Sequence, residues 1–155
     1  MTSFNSAPRT LWNLTSSPVN AICSSNCVST ACWIFVAKSL RERGYAVDMW
    51  AMHVDELNHL PGFSPVTASY DNALNVVGSH RPKTKQGHSL ILNGHIDVAP
   101  AGPLNMWTTP PFVPRVENGW HYGRGSGDMK AGIAANIYAI EALKRCGYAP
   151  AAELQ

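Results

Sequence analysis

The sequence contains no run of 18 apolar residues, so no stretch has the length needed to span a bilayer as a helix. Its first residues, MTSFNSAPRTLWNLTSS, lack a basic start followed by an apolar stretch and are not expected to act as a secretory signal. It has no C-x-x-C pair. Cys23, Cys27 and Cys32 cluster with gaps of three and four residues, and Cys146 stands far away. A zinc site on that cluster would need a fourth ligand that nothing nearby supplies, so the simpler reading is free thiols in a reducing cytoplasm. Charge is also scarce. Asp, Glu, Lys and Arg make up 14%, the formal net charge is +2, and no basic stripe offers the footprint of a nucleic-acid binder. No internal repeat is visible. What remains is a chain of 155 residues, 45% apolar, which is enough for one modest globular domain with a core.

Residues 1–28 are rich in Ser, Asn, Thr and Pro without a clear period and read as irregular. Trp33, Val36, Ala37 and Leu40 then recur at i, i+3, i+4 and i+7, one apolar helical stripe that Gly44 is placed to end. YAVDMWAM alternates like a strand, and NVVGSH reads as a second short one. RPKTKQG is a basic turn. In SLILNG the run Leu90, Ile91, Leu92 predicts a strand buried on both faces. VENGWHYG predicts a hairpin turning at Asn118-Gly119. Ile133, Ile137, Ile140, Ala134 and Tyr138 define the best helix, with Asp128 placed to cap or precede it, Lys144 and Arg145 in its last turn and Gly147 beyond. AAELQ reads as the approach to a further strand. Alternating strands and helices predict an α/β fold with a mostly parallel mixed sheet and flanking helices.

Within this frame HYGRGSGDMKAG, residues 121–132, admits two chemistries. A dinucleotide loop needs G-x-G-x-x-G, whereas Gly123, Gly125 and Gly127 give G-x-G-x-G followed by Asp128. A P-loop needs Lys and Ser or Thr after its last glycine, but Ile133 and Ala134 follow Gly132. An aspartate at the helix mouth would also repel a phosphate. The alternative is a carboxylate delivered to a metal. His95 and Asp97, in LILNGHIDV, leave the carboxyl end of the expected buried strand, where α/β sheets bind ligands, and project to one side. Asp128 follows another strand-like segment and can open on the same rim. One imidazole and one carboxylate suit zinc, cobalt or manganese, with Asp97 orienting the imidazole from behind. The competing reading is plainer: a hydrogen-bonded histidine and an N-cap aspartate.

The segment LILNGHIDVAP, the W-x-x-x-P-F stretch from Trp107 to Phe112, the G-R-G-x-x-D-M-K-x-G loop and the spacing between them resemble the catalytic-domain core of the acetylornithine deacetylase and succinyl-diaminopimelate desuccinylase family of two-metal metallopeptidases. PGFSPV and NVVG resemble the deacetylase-like branch, and the similar region runs from about residue 31 to the end. The resemblance implies that His95 is the ligand of one metal, that Asp128 bridges two, and that Asp97 is the acidic catalytic partner beside the histidine. It implies two zinc or cobalt ions that polarise an amide carbonyl and activate a bridging water. The implied substrate is a small N-acyl amino acid or a peptide, in the cytoplasm, with homodimerisation confined to a full-length form. Nucleic acid and membrane are not expected as partners.

The sequence departs from this pattern in several places. The Glu-Glu pair that carries the family's general base falls past Gln155, as do a further acidic ligand, the lid domain and a late histidine. SSPVNAICSSNC lacks the acidic residue of the family's N-terminal motif, and Ala131 stands where glycine is usual. The chain therefore reads as residues 29–155 of the N-terminal part of a catalytic domain, expected to be inactive alone. A dipeptidase or aminopeptidase of the same superfamily and a non-catalytic metal-binding fragment remain as alternatives.

Overall fold

The computed structural model describes residues 30–66, 70 and 73–155. The irregular reading of residues 1–28, together with Cys23 and Cys27, lies outside the described residues.

The first helix, α1, spans Thr30–Glu42, and its apolar stripe places Ala37 in the core with no exposed surface. It ends as the glycine predicts. Gly44 adopts φ 81°, its N–H bonds to the Arg41 carbonyl at 2.9 Å, and the Tyr45 N–H reaches back to Leu40 at 3.1 Å. That reciprocal pair satisfies carbonyls a helix end would otherwise leave open. The chain then enters β1, Ala46–Ala51, which pairs antiparallel with β2, Leu74–Ser79, from Ala46↔Ser79 to Ala51↔Leu74. The expected hairpin forms between β3, Arg115–Glu117, and β4, Trp120–Tyr122. Asn118 (φ 50°) and Gly119 (φ 82°) both take the left-handed conformation that a two-residue turn of this twist requires. The second helix, α2, spans Ala131–Arg145 and closes like α1. Gly147 has φ 86°, Gly147 N–H bonds to Lys144 O, and Tyr148 N–H bonds to Leu143 O, each at 3.0 Å.

The sheet corrects the sequence reading in two respects. Among the described residues both regular strand pairs are antiparallel, not mostly parallel. The parallel pairing is confined to Leu90 with Leu154, where Leu90 N–H bonds to Glu153 O at 3.0 Å and Leu92 N–H bonds to Gln155 O at 2.7 Å. On its other side Leu154 exchanges both backbone bonds with His80, at 2.8 and 3.1 Å, in antiparallel sense. Residues 153–155 thus lie between the end of β2 and residues 90–92, so AAELQ does approach a strand. The parallel contact occurs where physics requires it, across a connection long enough to contain α2. The second correction concerns Leu90–Leu92. The run is not buried on both faces: Ile91 is 70% exposed, and it is Ile96, Ala152 and Leu154 that enter the core. A continuous apolar run states that burial is favourable, not which neighbours are present to provide it.

Two approaches hold α2 in place. Gly94 lies so close to it that a Cβ there would stand 2.8 Å from Ile133 Cγ1. At the far end Lys144 Nζ donates to the Arg43 carbonyl at 3.3 Å and sits 4.7 Å from the Tyr45 ring, while Arg43 pairs with Glu141 at 3.6 Å. A cation on the last carbonyls of α1 meets the negative end of that helix dipole. Between the helices and the 91–96 segment lies an apolar cavity of about 190 Å³.

Candidate metal centre

His95 and Asp97 stand on the extended chain that leaves residues 90–92, next to the buried Ile96 that anchors it. Asp128 arrives from the opposite side, on a tight turn that precedes α2. Gly125 makes that turn possible. Its φ is 80°, and a Cβ there would overlap Val98 Cγ1, so no other residue allows the loop to lie against the chain just beyond Asp97. Ser126 closes the turn by donating from Oγ to the Gly123 carbonyl at 2.8 Å, and Lys130 N–H reaches Gly125 O at 3.1 Å.

The turn brings the three predicted side chains together. His95 Nε2 lies 3.1 Å from Asp128 Oδ1. His95 Nδ1 lies 3.1 Å from the Asp97 carbonyl and 3.2 Å from Asp97 Oδ1. The protonated ring donates from both nitrogens, Nδ1–H to Asp97 and Nε2–H to Asp128; a metal would take the place of the Nε2 proton while Nδ1–H stays on Asp97. Hydrogen bonding to the Asp97 carbonyl holds the His95 pKa above its ordinary value; desolvation works against this, and the negative charges of Asp97 and Asp128 add to it. The site is open to solvent, with the His95 side chain 48% and the Asp128 side chain 91% exposed.

The plainer reading of Asp128 as a helix cap does not fit this geometry. The cap position of α2 falls at Lys130, two residues past Asp128, and the hydrogen bond that the Asp128 carboxylate makes among the described residues is with His95. Asp128 therefore precedes the helix without capping it.

The donor pair fits a metal in part. Zinc bonds of about 2.0–2.2 Å to nitrogen and oxygen would separate two tetrahedral ligands by about 3.4 Å, close to the 3.1 Å between Nε2 and Oδ1. Among the described residues no three His, Cys, Asp or Glu side chains converge to hold a metal on their own. Cys32 is buried elsewhere, in the α1 core. Sequence reasoning placed Trp107 and Arg124 inside two motifs but gave neither a role; both dock the loop through the Ala101 carbonyl.

Residues 91–155 match the model of peptidase family M20/M25/M40. That segment is similar to the family over 65 of the chain's 155 residues. Among curated proteins, the succinyl-diaminopimelate desuccinylase of Dechloromonas aromatica is 52% identical over 53 residues, 34% of this chain and 14% of that protein. The enzyme of the same name from Methylobacillus flagellatus is 55% identical over 57 residues, 37% and 15% of the two lengths. That of Methylibium petroleiphilum is 46% identical over 67 residues, 43% and 17%. The chain thus spans about one sixth of the length of the curated relatives it matches. Among solved structures, human carnosine dipeptidase 1 superposes with a TM-score of 0.57 over 81% of this chain and 24% of that one, at 22% identity, a likeness of fold alone. The M20 match covers all three site residues. No helix among the described residues is long and apolar enough to cross a membrane.

Proposed function

We propose that this chain carries part of the metal centre of a metal-dependent amidohydrolase, one that cleaves the amide of a small N-acyl amino acid. The observation that carries the reading is the approach of His95 Nε2 and Asp128 Oδ1 to 3.1 Å, with Nδ1 fixed by Asp97. In this reading His95 would offer a neutral imidazole and Asp128 a carboxylate to hold zinc or cobalt. Asp97 is the catalytic partner that holds the imidazole tautomer. The metals would supply Lewis-acid polarisation of the amide carbonyl and an acidic bound water. An acylated diamino acid is the substrate class that the names of the matched desuccinylases favour.

In this reading the carboxylates that follow Asp128 do not complete that chemistry. Proton transfer from water to the leaving amine needs a free carboxylate near the metals. After Asp128 there are two, Glu141 and Glu153. Glu141 is paired with Arg43 and Arg145, each at 3.6 Å. Glu153 is paired with Arg81 at 3.0 Å, which holds its carboxyl below the usual carboxylate range. We therefore assign residues 29–155 as the N-terminal part of the catalytic domain, inactive alone, with dimerisation and a cytoplasmic setting belonging to a full-length form. Zinc calorimetry on the wild type and on His95→Ala tests the metal assignment. Measurable heats from the wild type and none from the variant are expected, and equal heats from both would refute it.

A further inference from the structure

Among the described residues the Asp128 carboxylate has one hydrogen-bond partner, His95, and its side chain is otherwise open to water. Its position is therefore inherited from the backbone that carries it, and that backbone is docked at one place. Arg124 NH2 donates to the Ala101 carbonyl at 3.2 Å, and Trp107 Nε1 donates to the same carbonyl at 2.8 Å. The Arg124 guanidinium also lies 5.1 Å from the Trp107 ring centroid, within range of a cation–π contact. Arg124 N–H bonds to the Pro111 carbonyl at 2.7 Å. The next residue, Gly125, is buried and packed on Val98, which directly follows Asp97. One clasp thus ties the chain leaving His95 and Asp97 to the chain arriving at Asp128.

We propose that Arg124 is a positioning residue. Through the Ala101 carbonyl and the Trp107 ring it sets the separation of His95 Nε2 and Asp128 Oδ1, and so the bite offered to a divalent cation. The consequence for metal affinity rests on the metal-binding reading above; the positioning itself does not. A planar guanidinium suits the task because it donates in its plane and stacks on its face at once, which an ammonium cannot do. Its effect on the site is that of a group that orients a ligand without touching the ion. Loss of such groups typically costs about 10–100-fold in metal affinity.

The experiment uses the whole chain and two readouts. The first, without metal, is the pair of ring-nitrogen NMR shifts of His95, with Asp128→Ala as the reference for a ring that has lost its carboxylate partner. The second is zinc affinity by calorimetry. Arg124→Ala is expected to move the His95 Nε2 shift toward the Asp128→Ala value and to weaken zinc about 10–100-fold. Arg124→Lys keeps the charge but cannot donate to Ala101 and stack on Trp107 at once, and is expected to recover only part of the wild-type signature. Trp107→Phe keeps the ring and removes the indole donor; it is expected to fall between, and it decides the matter if Arg124→Ala does not fold. A folded Arg124→Ala, or in its absence a folded Trp107→Phe, with wild-type His95 shifts would overturn the proposal. A wild type indifferent to zinc, with Arg124→Ala still moving His95, would overturn the metal reading and leave the clasp standing.

Discussion

Replacing Asp128 by Asn separates what this residue does for the helix from what it does for a metal. The carboxylate bonds to His95 rather than to an α2 backbone N–H, and the cap position lies two residues on, at Lys130. Asn is nearly isosteric, and at a side chain 91% exposed the metal-free protein should change by no more than about 0.5 kcal/mol. Zinc should reveal the difference. A ligand present at about 100 times its Kd stabilises the folded state by about 2.7 kcal/mol. Removing the charged oxygen 3.1 Å from His95 Nε2 leaves a neutral amide; a loss of about tenfold in affinity would place the same zinc at about ten times its Kd and reduce the stabilisation to about 1.4 kcal/mol. At this chain length a difference of about 1.3 kcal/mol is about 3–5 °C in melting temperature. Paired thermal melts with and without zinc measure both effects. An undiminished zinc-induced shift in Asp128→Asn would refute the ligand assignment. Because Asn caps a helix about as well as Asp, the metal-free melting temperature should stay unchanged whether or not Asp128 caps, and the zinc-dependent difference isolates the ligand role.

Other outcomes follow from the same geometry. Zinc must displace the proton that Asp97 and Asp128 favour on His95, so affinity should fall with acidification from a pH above the ordinary imidazole value of about 6.5, and Asp97→Asn should shift that fall to lower pH; calorimetry across pH 5.5–8 checks it. Without metal the sign reverses. Because the folded-state pKa of His95 is raised, its contribution to stability is fully present below the unfolded pKa and lost as pH rises through the folded one, which urea melts of wild type and His95→Gln should show. Gly125→Ala combines a positive φ with overlap on Val98 and should destabilise by about 2–4 kcal/mol, whereas Gly102→Ala, at φ 74° with nothing near its Cβ, should cost about 1–2 kcal/mol; equal costs in chemical denaturation would show that the Val98 contact is unimportant. With zinc or cobalt supplied, the chain should release no amine from N-succinylated or N-acetylated diamino acids, and metal-dependent turnover abolished by His95→Ala would show that Glu141 or Glu153 can leave its arginine to serve as base.

Local signals predicted local structure well. The apolar stripe of α1, the Asn118-Gly119 turn and the glycines after both helices each act through a few neighbouring residues, and each stands where the pattern places it. Non-local pairing was harder to read. Nothing in Leu90–Leu92 encodes that its one ladder partner is residues 153–155, or that Ile91 faces open space. The pairing sense of β1 and β2 depends on how the chain returns between them, which has no period. The proximity of His95, Asp97 and Asp128 was legible, because each follows a strand-like segment. The Arg124–Trp107 clasp was not, since a cation, a ring and a carbonyl from separate loops meet only after folding.

The interlock at the C-terminal ends of the two helices has a bearing on where the molecule opens. Lys144, on the Arg43 carbonyl and over Tyr45, joins two reciprocally capped helix ends into a single corner. Asp128 precedes the opposite end of a helix of 15 residues, about 22 Å away along its axis. Amide exchange should therefore be slower at the corner than through residues 127–129, because sub-global openings begin where few apolar contacts must break. Substitutions in the two regions share no partners, so their effects on folding should add, as they do for sites more than about 10 Å apart. The turn that carries the carboxylate can then change its sequence, and with it its fit to one ion or another, without loosening the corner that keeps the helices together.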